Sequence, residues 1–355
     1  MRARLPILLA GAALAALLSL AAVQAVSTAA PESSALAAAP GIRVPAGFRA
    51  SVYASGLSRP TAMAWSPRGR LYLTQENGQV VSVSPGSARP RVEAGGFTVP
   101  LGLVWARGAL YVSAQGTLWR IAGGRKRAVL TKLPFGRHQQ DNVVLGPDGR
   151  LYLGSGSTCD ACRERSGLSA TVLSVRPDGS DLRVVARGLR NPYGLAFATG
   201  GRLFASVNNI DDVSAPAETI VDIRPGRFYG WPRCWANATQ RRLVGRCAGV
   251  TKPVAYLEPH SAAVGLVVYR GGSFGPTYDG NLFVALWGEY LRRLHGRRVD
   301  RVVPDTGGDP RRARVEPFAT GFDHPLAVTV DAAGALLVAD YGRGVIYRIQ
   351  AAGKR

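Results

Sequence analysis

A unit of three short strands, repeated six times, constrains this chain more than any single motif. Each unit opens on an apolar run: Thr61-Ala-Met-Ala-Trp65, Leu101-Gly-Leu-Val-Trp105, Asp141-Asn-Val-Val-Leu145, Tyr193-Gly-Leu-Ala-Phe197, Val264-Gly-Leu-Val-Val268 and Leu326-Ala-Val-Thr-Val330. A glycine-bearing turn follows most of them, such as Gly146-Pro-Asp-Gly-Arg150. A second strand of one recurring type comes next, as in Leu71-Tyr-Leu73, Leu151-Tyr-Leu153 or Leu282-Phe-Val284. A third strand closes each unit, at 80–83, 118–122, 171–175, 219–223, 290–294 and 345–349. All-strand repeats of this length are the mark of radially arranged blades, so the pattern predicts an all-β fold, a six-bladed β-propeller. Uneven spacing places insertions in blades three to five, where loops carry function. Residues 48–54 are strand-like and precede the first blade. They are expected to pair with the last blade and close the ring, removing an open edge.

The beginning of the chain is of another kind. Arg2 and Arg4 precede an apolar run from Ile7 to Val23, followed by small residues. This reads as a secretory signal peptide over residues 1–25, with a retained membrane anchor as the rival. Residues 26–42 are rich in Ala, Ser and Pro and read as a disordered lead-in to a propeller over residues 43–350. The mature protein is then periplasmic or extracellular (secreted), with no stable membrane insertion after signal cleavage. Its four cysteines fall in two local pairs, Cys159 with Cys162 and Cys234 with Cys247. In an oxidising compartment these form two disulfides. Reading Cys159-Asp-Ala-Cys162 as a zinc half-site or redox motif lacks a second CxxC, paired histidines or a βαβ context.

The formal net charge is +21, supplied almost wholly by arginine. The arginines are scattered and form neither a basic block nor an RNA-binding signature, which argues against a nucleic-acid partner. Most read as a solvated exterior.

In a propeller the first strand of each blade lines the central channel. The segment before it and the loop between second and third strands open on one face. That face collects Arg137-His138, Arg190-Asn191, His260 and His324, three of the chain's four histidines among them. Such a rim suits an anionic ligand and the movement of a proton. Taken singly, His138 is a surface histidine, Arg190 an inter-blade ion pair and Asn191-Pro192 a turn former. Their convergence favours a site. Asp211, Asp212 and Glu218 either hold a structural calcium or are solvated loop acids. Tyr229-Gly-Trp-Pro232 reads as a structural plug.

Leu189-Arg-Asn-Pro-Tyr-Gly-Leu-Ala-Phe197, followed by Phe228-Tyr-Gly-Trp-Pro232, resembles the PQQ-dependent glucose/sorbosone (soluble aldose sugar) dehydrogenase family. His138-Gln139, Pro259-His-Ser-Ala262, Leu282-Phe-Val-Ala-Leu286 and Gly344-Val-Ile-Tyr-Arg-Ile349 extend the likeness over about residues 43–350. The resemblance implies a six-bladed propeller holding pyrroloquinoline quinone (PQQ) and calcium at its channel mouth. It implies oxidation of a sugar substrate, an aldose or sugar aldehyde, with an external electron acceptor. Carried over position by position, His138 matches the general base and Arg190 and Asn191 the quinone-facing pair. Asn209 and Ile210 match the stretch whose carbonyls hold calcium. Arg292 and His324 lie near two further cofactor contacts. There are departures too. Arg137 stands where well-known members carry an acid, His324 where they carry an arginine, and Phe97-Thr-Val-Pro100 where they carry a sugar-positioning glutamine. Two other functions stay open: a non-catalytic propeller binding a glycan or protein at the mouth, and a metal-dependent lactonase, for which the mouth segments are short of acids.

Overall fold

The computed structural model describes residues 36–289 and 295–353. Six four-stranded antiparallel sheets are present, and each is one blade. The six run in chain order, with first strands Pro60–Trp65, Gly102–Ala106, Gln140–Leu145, Asn191–Phe197, Ala263–Val268 and Pro325–Val330. No helix among the described residues is long and apolar enough to cross a membrane.

The second position of the opening runs explains how the blades meet. An added Cβ at Gly194 would lie 2.3 Å from the Val264 carbonyl oxygen, and one at Gly265 would lie 2.4 Å from that of Leu326. At Gly102 it would meet the Asp141 carbonyl at 2.6 Å. Adjacent inner strands therefore touch backbone to backbone, and the recurrent glycine is a packing requirement. The second strands are almost fully buried, with Leu71, Leu73, Leu151, Leu153, Val284, Leu336 and Val338 each at 0% exposure.

Ring closure follows the expectation. Phe48–Ala54 pairs antiparallel with Val345–Ala351 and becomes the outer strand of blade six. Residues 36–42, read as part of a disordered lead-in, are instead tied to that strand. Val52 N–H donates to the Ala37 carbonyl at 2.8 Å, and Ala39 N–H donates to that of Ala50 at 3.2 Å. Ala39 and Ile42 are buried, so apolar side chains hold this segment down. Residues 1–25, read as a signal peptide, and the rest of the expected lead-in lie outside the described residues.

Two further expectations change. The third strand of blade five is Arg298–Val303, beyond the predicted 290–294, which lies outside the described residues. Its charges hid it: Arg298 pairs with the fully buried Asp300 at 2.5 Å, and Arg301 with Glu316 at 2.9 Å. Some of the arginines read as solvated exterior are instead paired and largely covered: Arg150 with Asp181 (2.8 Å) and Arg348 with Asp331 (2.6 Å), each pair involving a turn residue.

Blade four carries the largest insertion, between its third strand Ala217–Ile223 and fourth strand Ala255–Pro259. Within it a hairpin of Cys234–Asn237 and Arg242–Gly245 is closed by the Cys234–Cys247 disulfide. Cys159 and Cys162 form the other expected disulfide. The insertion rises beside the end of blade three, where Arg187 bridges in parallel to Phe228 and Trp231 N–H donates to the Gly188 carbonyl.

Gly194→Ala should destabilise the protein by about 1–3 kcal/mol, because the methyl group forces two inner strands apart. Chemical denaturation checks this, and an unchanged midpoint would contradict the tight inner packing.

Candidate functional site

The loops before the first strands and between second and third strands enclose a cavity of about 470 Å³ at one end of the channel. His138, Arg137, Arg190, Glu218, His260 and Trp287 are among its walls. The site thus gathers residues from blades three, four and five.

His138 enters from the segment ahead of blade three and is half-buried. Its Nδ1 lies 3.0 Å from Ser157 Oγ and 3.2 Å from the Ser157 carbonyl. Ser157 Oγ–H donates to the Cys159 carbonyl at 2.7 Å, so toward the imidazole this oxygen can only accept. The proton therefore sits on Nδ1, and Nε2 keeps the lone pair, an assignment made from the hydrogen-bond network. Burial, and next the Arg190 guanidinium, lower the imidazole pKa to about 3. The ring is neutral through the physiological range, as a proton acceptor must be.

Asn191 opens the first strand of blade four. Its Nδ2 donates to Asn208 Oδ1 at 3.1 Å, while its buried Oδ1 has no partner. A Cβ on Gly156 would fall 2.4 Å from His138 Cβ and 2.6 Å from Asn191 Oδ1, so only glycine lets these two side chains close in.

Arg190 is 3% exposed and doubly paired. Its Nη2 donates to Asp160 Oδ1 at 2.6 Å and Asp211 Oδ2 at 2.7 Å, and its Nε to the Asp160 carbonyl at 3.2 Å. Asp211 also takes Arg137 Nη2 at 2.5 Å. Asp211 is thus an ion-pair partner of both arginines, with its side chain still 39% exposed.

Glu218 is buried, and burial pushes its carboxyl up to about 8. It accepts Asn209 N–H at 2.7 Å and Ala262 N–H at 3.3 Å. Asn209 Nδ2 is spent on the carbonyls of Ala217 and Ala236. The Asn209 and Ile210 carbonyls accept no hydrogen bond among the described residues. Oxygen donors thus crowd this loop.

His260 lines the cavity. His324 packs against Trp287 with ring centroids 4.1 Å apart, its Nδ1 lies 3.0 Å from Asp323, and its buried Nε2 has no partner. It is not among the residues that line the cavity. Arg292 lies outside the described residues.

Sequence reasoning missed Ser157, Asp160 and Asp141. Asp160 was hidden inside the cysteine pair. Asp141 sits in a run read as apolar, and its carboxyl is buried with Oδ2 unpartnered and its pKa well above the ordinary range. Trp231 is the predicted plug, and its Nε1 donates to the Asp160 carbonyl at 2.9 Å.

The sequence profile of the glucose/sorbosone dehydrogenase family matches residues 124–338, and the chain belongs to that family. Solved structures share the fold. The holo PQQ domain of pyranose dehydrogenase from Coprinopsis cinerea is 18% identical, covering 87% of this chain and 97% of its own, with a TM-score of 0.75. The calcium structure of a carbohydrate-active enzyme of family AA12 from Trichoderma reesei is 15% identical, covering 90% and 98%, with a TM-score of 0.77. PQQ-bound aldose sugar dehydrogenase from Streptomyces coelicolor is 22% identical, covering 87% and 99%, with a TM-score of 0.67. No curated protein matches the chain in sequence.

The His138 pKa carries a stability signature. Between its ordinary value of 6.5 and about 3 the unfolded chain binds a proton that the native imidazole refuses, so stability falls as pH falls through that window. His138→Asn should lose less stability than the wild type between pH 6.5 and 4. Melting temperatures across that range measure it, and equal losses would show an imidazole that titrates normally.

Proposed function

We propose that the protein is an exported, PQQ- and calcium-dependent dehydrogenase that oxidises an aldose or sugar aldehyde and passes electrons to an external acceptor. The observation that carries this reading is a neutral, Nδ1-protonated His138 and a fixed Arg190 at one cavity, with the buried, unpartnered Asn191 Oδ1 packed beside Gly156 next to His138.

The residues suit the groups they would hold. The volume lies within the range of small-molecule sites. Arg190 Nη1 donates to no described residue and is available to an anionic or carbonyl oxygen. The carbonyls of Asn209 and Ile210, with Asp212 and Glu218 close by, form an oxygen-rich set of the kind a hard divalent cation takes. PQQ, when bound, supplies a two-electron acceptor for hydride. His138 Nε2 takes the substrate hydroxyl proton as the C–H bond gives up its hydride. Ser157 keeps the ring in the tautomer that leaves Nε2 open. Negative charge entering the mouth offsets the repulsion from Arg190 and raises the basicity of His138 toward the operating pH, where a general base is most effective. Trp287 and His260 wall the cavity. The two disulfides suit an oxidising compartment, which supports export.

The purified protein, titrated with PQQ in the presence of calcium, should show a saturable absorbance change at micromolar cofactor and reduce a dye with some member of an aldose panel. His138→Ala should still take up PQQ but lower kcat about 10²–10⁴-fold. Failure to take up PQQ, or a His138→Ala variant with undiminished turnover, would exclude this function. Saturable glycan binding without turnover would instead select the non-catalytic reading.

A further inference from the structure

The loop between the second and third strands of blade three contains a short strap, residues 157–164, that is fastened to itself twice. The Cys159–Cys162 disulfide closes its centre. At its ends Glu164 receives Thr158 N–H at 2.6 Å and Thr158 Oγ–H at 2.7 Å. A segment so braced holds its shape without a regular secondary structure.

Its outward contacts reach His138, Arg190, Trp231 and the backbone of Asp211 and Asp212. Ser157 N–H donates to the Arg190 carbonyl at 2.7 Å, and the Ser157 carbonyl accepts His138 N–H at 3.0 Å. Ser157 also sets the His138 ring through Nδ1. Asp160 does more. Its Oδ1 takes Arg190 Nη2 at 2.6 Å and Asp211 N–H at 3.0 Å. Its Oδ2 takes Asp212 N–H at 3.4 Å, and its carbonyl takes Arg190 Nε at 3.2 Å and Trp231 Nε1 at 2.9 Å. Donors from the start of blade four, from the 209–212 loop and from the long insertion therefore converge on one residue. Cys159 packs with the buried Ile210 and Trp231, so the disulfide joins the same cluster.

We propose that this disulfide-closed strap positions the mouth, with Asp160 as its central positioning residue, so that Arg190, His138 and the 209–212 loop are held in one arrangement by a single braced segment. Asp160 touches no reacting atom. It acts by orienting Arg190 and by fixing the backbone of Asp211 and Asp212. The carbonyls of Asn209 and Ile210 are thereby kept in a fixed direction. The claim concerns the geometry of the mouth and holds whether or not a quinone occupies it.

Amide hydrogen exchange on the whole protein tests the claim. In Asp160→Ala the amides of Asp211 and Asp212 should exchange at least about tenfold faster while those of the blade strands keep their protection. Asp160→Asn keeps a neutral acceptor and should fall between Ala and wild type. Cys159→Ser/Cys162→Ser should loosen the 209–212 amides together with that of His138. If the Asp160 variants fail to fold, Trp231→Phe keeps the ring packing, loses the indole donor and should still accelerate exchange at 211–212. Exchange at these amides unchanged from wild type in the variants that fold overturns the proposal. A PQQ titration separates it from the functional reading. Where the wild type takes PQQ, Asp160→Ala should weaken uptake about 10–100-fold, as loss of an outer-shell partner does. Where the wild type takes none, the quinone reading fails and exchange alone decides the role of Asp160.

Discussion

A guanidinium shut away from water at the channel mouth is the constraint on which the site depends. Arg190 is almost wholly covered, and a buried charge left unpaired is costly. Asp160 and Asp211 neutralise it from two different loops. Removing the partner of a buried charge typically costs about 3–5 kcal/mol, which applies to the largely covered Asp160 and not in full to the more exposed Asp211. Asp211 extends the arrangement to Arg137, and the Asp160 carbonyl extends it to Trp231. The loops of blades three and four are thereby tied together at the mouth.

That face is electrostatically tuned. Burial first, and Arg190 next, lower the basicity of His138, while the Ser157 hydrogen bond and Asp211 partly restore it. Contrary to the expectation that the mouth segments are short of acids, the carboxyl groups of Asp160, Asp211, Asp212, Glu218 and Glu289 stand around Arg137 and Arg190, with Glu218 held toward its neutral form by burial. An acid-rich rim on a chain of formal charge +21 is a local inversion, and it suits a hard cation better than a bare polyanion. The departure at Arg137, where well-known members of the family carry an acid, fits the same scheme: Asp211 brings a carboxylate to that side chain from the next blade.

Much of the fold was legible because burial imposes it on the sequence. Each first strand needs an apolar run to line the channel, and at Gly102, Gly194 and Gly265 the neighbouring backbone leaves no room for a side chain. The third strand of blade five escaped because its charges are paired across the sheet: Arg298–Asp300 and Arg301–Glu316 carry a strand that reads as surface. Residues 36–42 escaped because a small-residue composition says nothing about a specific outer strand that can receive them. At the site, His138, Arg190 and Asn191 were found because topology alone brings their segments to one face. Asp160 was not, because four residues closed by a disulfide read as a staple, and nothing local shows what the enclosed carboxylate faces. Long-range ion pairs have no sequence period.

The proposed site is a cavity at one end of the channel, bounded by an imidazole from blade three and a guanidinium from blade four. Diffraction from crystals grown with PQQ and calcium should show density for a flat polycyclic anion in that cavity, with His138 Nε2 facing it and Arg190 still paired to Asp160. Density on the opposite end of the channel, or a cavity closed by its own loops with the cofactor absent, would contradict that placement.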